Sequence, residues 1–168
     1  MTPLSYALLG LVRMEPRSGY ALRRVFETTP LGNYSSSPGS IYPALKSLEK
    51  ARLVQARDAR DARGKGFYHL TATGEEALDE WLRAPVGNLG EAMLRFAFLP
   101  DDGEAIAAFL DSFEAAAQAQ VAGLDTFLAG EGSRGMSPKQ RIAVEHGRRG
   151  LVASADWARW ARAHFKPD

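Results

Sequence analysis

Two runs of alternating apolar and polar residues stand out in a chain otherwise patterned for helices. They are Leu53-Val54-Gln55-Ala56-Arg57 and Gly66-Phe67-Tyr68-His69-Leu70-Thr71. Between them lies the charged, glycine-containing stretch Asp58-Ala59-Arg60-Asp61-Ala62-Arg63-Gly64-Lys65. Period-two alternation on either side of such a tip predicts a β-hairpin. A lone hairpin is not stable in water. It must therefore lean on the helices around it, which restricts the fold to a small sheet against a helical body.

Three helices are expected before the hairpin. Residues 3–12 are apolar enough for a buried helix, and Met14-Glu15-Pro16-Arg17-Ser18-Gly19 breaks it. A second helix buries Tyr20, Leu22, Val25 and Phe26, keeps Arg23-Arg24 on a polar side, and stops near Thr29-Pro30. In the third, Ser37 is placed to cap and Pro38 suits the first helical position. Ile41, Leu45 and Leu48 then fall on one face. Pro43 would remove a hydrogen bond from a helix interior, so the first turn is expected to be irregular, with regular helix from about Tyr42. After the hairpin, Thr73-Gly74-Glu75-Glu76 reads as a capping box opening a helix with Ala77, Leu78, Trp81 and Leu82. Helix–helix–helix–strand–strand–helix is the order of a winged helix-turn-helix with a two-stranded wing, assigned to residues 1–84. The fold class is thus mainly α (α+β).

Residues 85–90, with Pro85, Gly87 and Gly90, read as a linker. Beyond it, residues 91–168 are patterned for helices alone. Ile106, Phe109, Leu110, Phe113, Ala117, Val121, Leu124, Phe127 and Leu128 form one long stripe. Ser137-Pro138-Lys139-Gln140 is a second capping box, opening a helix with Val144, Gly147, Leu151, Ala155, Ala158, Ala161 and Phe165 along one side. Two such helices cannot enclose a full core, and a second copy of the chain is the simplest cover. This region is therefore read as a helical dimerisation and effector region.

Charge separates the two halves. Residues 1–70 hold eleven Lys/Arg against five Asp/Glu, while residues 71–168 hold ten against fifteen, so +6 precedes −5. A basic head and an acidic body suit a protein whose head alone meets a polyanion. With no cysteine in the chain, disulfides and thiolate metal sites are excluded and a cytoplasmic location is expected. The apolar start lacks a basic leader and is too short to span a bilayer, so it reads as a buried helix with no membrane partner.

The chemistry these residues offer is that of binding double-stranded DNA. The third helix is narrow enough for the major groove while the hairpin lies along the backbone. Its start, with Ser36, Ser37, Gly39 and Ser40, presents amides and hydroxyls to phosphates, and Lys46 and Lys50 follow on its outer side. The wing supplies Arg60, Arg63 and Lys65, with Gly64 and Gly66 letting backbone come close. Catalysis finds no support. Gly130-Glu131-Gly132-Ser133-Arg134-Gly135 has dinucleotide-binding spacing but follows a helix, not a strand. His69, His146 and His164 have no ligand spacing, and no serine sits in a nucleophile elbow. No enzyme activity, metal or cofactor is expected. Trp157 and Trp160 either line a pocket for a small aromatic effector or serve ordinary packing. A winged helix acting only as a protein-interaction module is the alternative to DNA readout.

The segment Ser37-Pro38-Gly39-Ser40-Ile41-Tyr42-Pro43-Ala44-Leu45-Lys46-Ser47-Leu48-Glu49-Lys50 resembles the recognition-helix signature of the PadR family of transcriptional regulators. Leu8-Leu9-Gly10-Leu11, Gly19-Tyr20-Ala21-Leu22 and Gly66-Phe67-Tyr68-His69-Leu70-Thr71-Ala72-Thr73-Gly74 resemble the family in the same order. The resemblance covers the first half of the chain and accommodates Pro43. It implies that Ser37, Gly39, Ser40 and Tyr42 lie near DNA phosphates. It also implies a homodimer held by C-terminal helices, acting as a repressor that an effector releases.

Overall fold

A computed structural model describes residues 1–34, 38–57 and 66–165. The chain divides into two compact units, Met1–Leu82 and Arg83–Asp168. Among the described residues no helix is long and apolar enough to cross a membrane.

In the first unit, α1 (Pro3–Met14) is the central helix. The Thr2 hydroxyl caps it by accepting the Ser5 amide at 3.2 Å, and Ala7 through Val12 are all buried. The segment expected only to break the chain does more. Arg17–Ser18 forms a strand, β1, and the buried Ser18 then caps α2 (Gly19–Thr28) by accepting the Ala21 amide at 3.3 Å. A strand of two residues shows no alternation, so it leaves no periodic trace in sequence. A 3-10 turn at Pro30–Tyr34 follows, and a second at Pro38–Ser40 leads into α3 (Ile41–Lys50). The irregular start anticipated from Pro43 is this 3-10 turn. Pro43 itself stands third in α3, where the amide has no intrahelical acceptor and its absence breaks no bond.

Helix α3 ends in a Schellman turn. The Arg52 amide donates to the Glu49 carbonyl at 2.9 Å and the Leu53 amide to the Leu48 carbonyl at 3.0 Å. Arg52 takes the left-handed conformation there, with φ of 58°. The hairpin is β2 (Val54–Arg57) with β3 (Phe67–Leu70), paired antiparallel from Val54 opposite Leu70 to Arg57 opposite Phe67. β1 adds to the far side of β3, giving the order β1-β3-β2.

The helix after the sheet starts earlier than its capping box suggested. α4 spans Ala72–Arg83, and its cap is the Thr71 hydroxyl, which accepts the Gly74 amide at 3.0 Å. Thr73 and Glu76 lie inside the helix. Thr71 wins because its amide already donates to the Leu53 carbonyl at 3.1 Å, which closes the sheet and leaves the hydroxyl at the turn. Gly74 is pressed against that same carbonyl.

The second unit contains α5 (Leu89–Phe96), α6 (Gly103–Ala129) and α7 (Pro138–His164), with a 3-10 turn at Glu131–Ser133. Both halves of the Ser137/Gln140 capping box form. Ile106, Phe109, Leu110, Phe113 and Ala158 build the core, with Phe96 and Trp157 packed against it. The stretch read as a linker is tied down. Arg95 donates to the carbonyls of Ala84 and Pro85, Val86 is buried, and its amide donates to Ser112 Oγ at 2.7 Å.

Candidate nucleic-acid interface

Helix α3 is divided cleanly between two faces. Ile41, Leu45 and Leu48 are buried against α1 and α2, while Tyr42, Pro43, Lys46, Ser47, Glu49 and Lys50 are exposed. The inner face of Ile, Leu and Leu locks the rotation of the helix, because turning it would exchange buried leucines for charged groups. Gly39 and Ser40 lie in the 3-10 turn that leads into it, Gly39 exposed and Ser40 half-buried. Ser37, Arg60, Arg63 and Lys65 lie outside the described residues. Gly66, at the wing base, is held tight: a Cβ there would come 2.9 Å from the Arg57 carbonyl oxygen.

The cations of the first unit fall into two groups. Arg13 pairs with Asp79, Arg17 with Glu15, and Arg23 with Glu27 at 2.8 Å, each near or within α1 and α2. Lys46, Lys50, Arg24, Arg52 and Arg57 meet no acid among the described residues. Cations left without an internal partner are the ones available to an external anion.

Tyr42 is the polar aromatic of this surface, 39% exposed. Its hydrogen-bonding and electrostatic surroundings are shared with both neighbours. The Arg23 guanidinium is held protonated more firmly, first by its bond to Glu27 and also by Tyr42 and Tyr20. Burial pushes the Tyr68 phenol up, with smaller contributions from Glu49 and Tyr42. The ring of Tyr42 lies over Gly19, the first residue of α2, where an added Cβ would stand 3.0 Å from Tyr42 Cε1. Gly19 reads in the sequence as a helix breaker. Its role as a bed for Tyr42 depends on a contact between two helices and carries no local signal.

The two tryptophans considered for an effector have different surroundings. Trp157 packs edge-on against Phe96 and Phe113, at centroid distances of 5.6 and 5.4 Å. Trp160 is 57% exposed and stacks on His164. Elsewhere on α6 and α7, Phe127, Ile142 and Val152 also leave apolar surface open. A groove of about 250 Å³ runs between these helices, lined by Val121, Ala122, Val152 and Ala155 with Asp125 and Arg159 at its rim. Among the described residues no three His, Asp or Glu gather as a metal site.

Three helices, a short third strand and a hairpin whose base abuts the exposed helix define a winged helix-turn-helix. Residues 8–80 match the family model described as the Transcriptional regulator PadR-like family. Over those residues the chain is thus similar to the PadR-like family of transcriptional regulators. The chain is 34% identical over 77 residues to the Transcriptional regulator YqjI of Escherichia coli (strain K12), covering 46% of this chain and 36% of that protein. It is 33% identical over 84 residues to the Negative transcriptional regulator PadR of Bacillus subtilis (strain 168), covering 49% and 46%. The match thus spans less than half the length of either relative. Among solved structures, the PadR-like regulator BC1756 from Bacillus cereus aligns over 95% of this chain and 96% of its own, with 22% identity and a TM-score of 0.43. Bacillus subtilis PadR in complex with operator DNA aligns over 95% and 97%, with 22% identity and a TM-score of 0.42.

Proposed function

We propose that this protein is a sequence-specific, DNA-binding transcriptional regulator, a cytoplasmic repressor that works as a homodimer and is released by a small-molecule effector. The observation that carries the reading is α3: its inner face is buried and its outer face presents Tyr42, Lys46 and Lys50, the lysines without an acidic partner among the described residues. Residues 1–84 serve as the DNA-binding domain. Gly39, Ser40 and Tyr42, with Ser37, meet phosphates at the head of α3, and Arg60, Arg63 and Lys65 hold the backbone beside it. Residues 91–168 serve as the dimerisation and effector region. The exposed Ile142, Val152 and Phe127 supply apolar surface for a second copy, and Trp160 is the aromatic accessible to a planar effector. Bacillus subtilis PadR has been solved in complex with p-coumaric acid, and a small aromatic compound is the class proposed for this protein.

Binding of genomic DNA fragments by the full chain, followed across a salt series, tests the proposal. Three wing cations per protomer, six per dimer, give log K against log salt a slope of about −5. A flat line would instead favour a protein-interaction module. Tyr42→Ala and Lys46→Ala weaken binding while leaving the fold intact. Parent-like affinity in both variants would show the site to be misassigned.

A further inference from the structure

We infer that Lys46 and Lys50 read guanine in the major groove, so that each operator half-site carries two guanines roughly two base pairs apart. The inference rests on the DNA-binding reading and assigns base identity to it.

The argument begins with the rotation of α3. Taking Ile41, Leu45 and Leu48 as the buried face, an advance of about 100° per residue puts Lys50 and Pro43 almost directly opposite, and Lys46 within roughly 50° of that line. Tyr42 and Glu49 lie about a quarter turn away, on the flank facing Tyr68 of β3. When a helix lies in the groove, residues opposite its packed face point at base edges, and those on the flanks point at the phosphate walls. The lysines therefore address the bases, while Tyr42 addresses the backbone.

Their chemistry selects the base. An ammonium has three donors and no acceptor. Guanine offers N7 and O6 side by side, both acceptors. Adenine sets its amino donor beside N7, cytosine offers a donor, and thymine one acceptor beside a methyl group. Helix α3 carries no Asn or Gln, so its outer face lacks the bidentate partner of adenine. Neither lysine is engaged by an acid among the described residues. Four residues of helix advance about 6 Å, close to two base-pair steps of about 3.4 Å, which sets the spacing.

The test uses the full chain and a random-sequence duplex library, with parent, Lys46→Ala, Lys50→Ala and Lys46→Gln selected in parallel. The parent is expected to enrich two guanines per half-site. Each alanine variant flattens the preference at one of them by about 5- to 100-fold, and Lys46→Gln turns one toward adenine. Replacing the guanine read by Lys46 with 7-deazaguanine costs the parent about tenfold and Lys46→Ala nothing. Variants that keep the parent's base preference while binding every duplex more weakly would place the lysines on phosphates and overturn the inference. So would a parent that binds all duplexes equally, although DNA binding would then survive. A parent that binds no duplex even at low salt would remove both readings together.

Discussion

Gly74→Ala tests the junction that sets α3 against the sheet. A Cβ at position 74 would stand 2.0 Å from the Leu53 carbonyl oxygen and 3.1 Å from Leu70 Cδ2. A carbon rests no closer than about 3.3 Å to such an oxygen, so a gap of roughly 1.3 Å must open between α4 and the strand. That oxygen accepts the Thr71 amide at 3.1 Å, a bond that does not survive the displacement, whereas the Thr71 hydroxyl keeps its shorter bond to the Arg52 carbonyl at 2.7 Å. One hydrogen bond is worth about 0.5–1.5 kcal/mol, and overpacking costs about 1–3 kcal/mol more. Alanine returns about 1 kcal/mol of helix propensity. The net loss is about 2 kcal/mol, which lowers the melting temperature of a unit this size by roughly 8–16 °C. Thermal unfolding followed by near-ultraviolet circular dichroism reads it through Trp81, which stacks on Tyr6 at 4.3 Å within the same unit. A variant that melts with the parent would show that α4 does not close on Leu53, and the packing argument would fail.

Three further outcomes are expected. Gly19→Ala displaces the Tyr42 ring, whose Cε1 would otherwise lie 3.0 Å from the new methyl; DNA affinity falls about tenfold in the parent and is unchanged in a Tyr42→Ala background. Additive losses in that double-mutant cycle would mean that Gly19 does not act through Tyr42. Arg52→Gly relieves a side chain held at φ of 58° and raises stability by about 1 kcal/mol, seen as a higher urea midpoint at constant slope. Arg52→Ala, with its Cβ retained, gains nothing comparable. The Arg148 guanidinium holds the Asp125 carboxyl below its ordinary value of 3.8. The pair therefore favours folding above that value and loses its contribution as pH falls through the lowered one, a small effect at an exposed site. Carboxyl chemical shifts across an acid titration would show Asp125 titrating late, and a midpoint at 3.8 or above would refute the pairing.

What the sequence disclosed depended on whether the governing interaction was local. The Ser137/Gln140 box and the apolar face of α3 are written within a few residues of themselves, and both form. The choice between Thr71 and Thr73 as cap of α4 is not: Thr73 has Glu76 three places on and Thr71 only Gly74, yet Thr71 caps. It is decided by the Leu53 carbonyl, which arrives from across the sheet and holds the Thr71 amide. Residues 85–90 have the composition of a linker, yet Arg95, beyond its far end, fastens the carbonyls of Ala84 and Pro85. β1 exists only because β3 lends it partners. The candidate site divides in the same way: lysines on an outer helix face are legible from periodicity, whereas the glycine beneath Tyr42 is visible only once two helices meet.

The Leu53 carbonyl also fixes how the elements of the first unit meet. It follows directly on the Schellman turn that ends α3, receives both donors of Thr71, and abuts Gly74 in the first turn of α4. The end of α3, the base of the hairpin and α4 therefore meet at one atom. α4 is also the element through which the chain passes from the first unit to the second. Because Gly74 leaves no slack against Leu53, α4 cannot shift at its first turn without disturbing the end of α3 and the base of the hairpin. The same contact that makes Gly74→Ala destabilising is thus the one that ties these three elements of the first unit together.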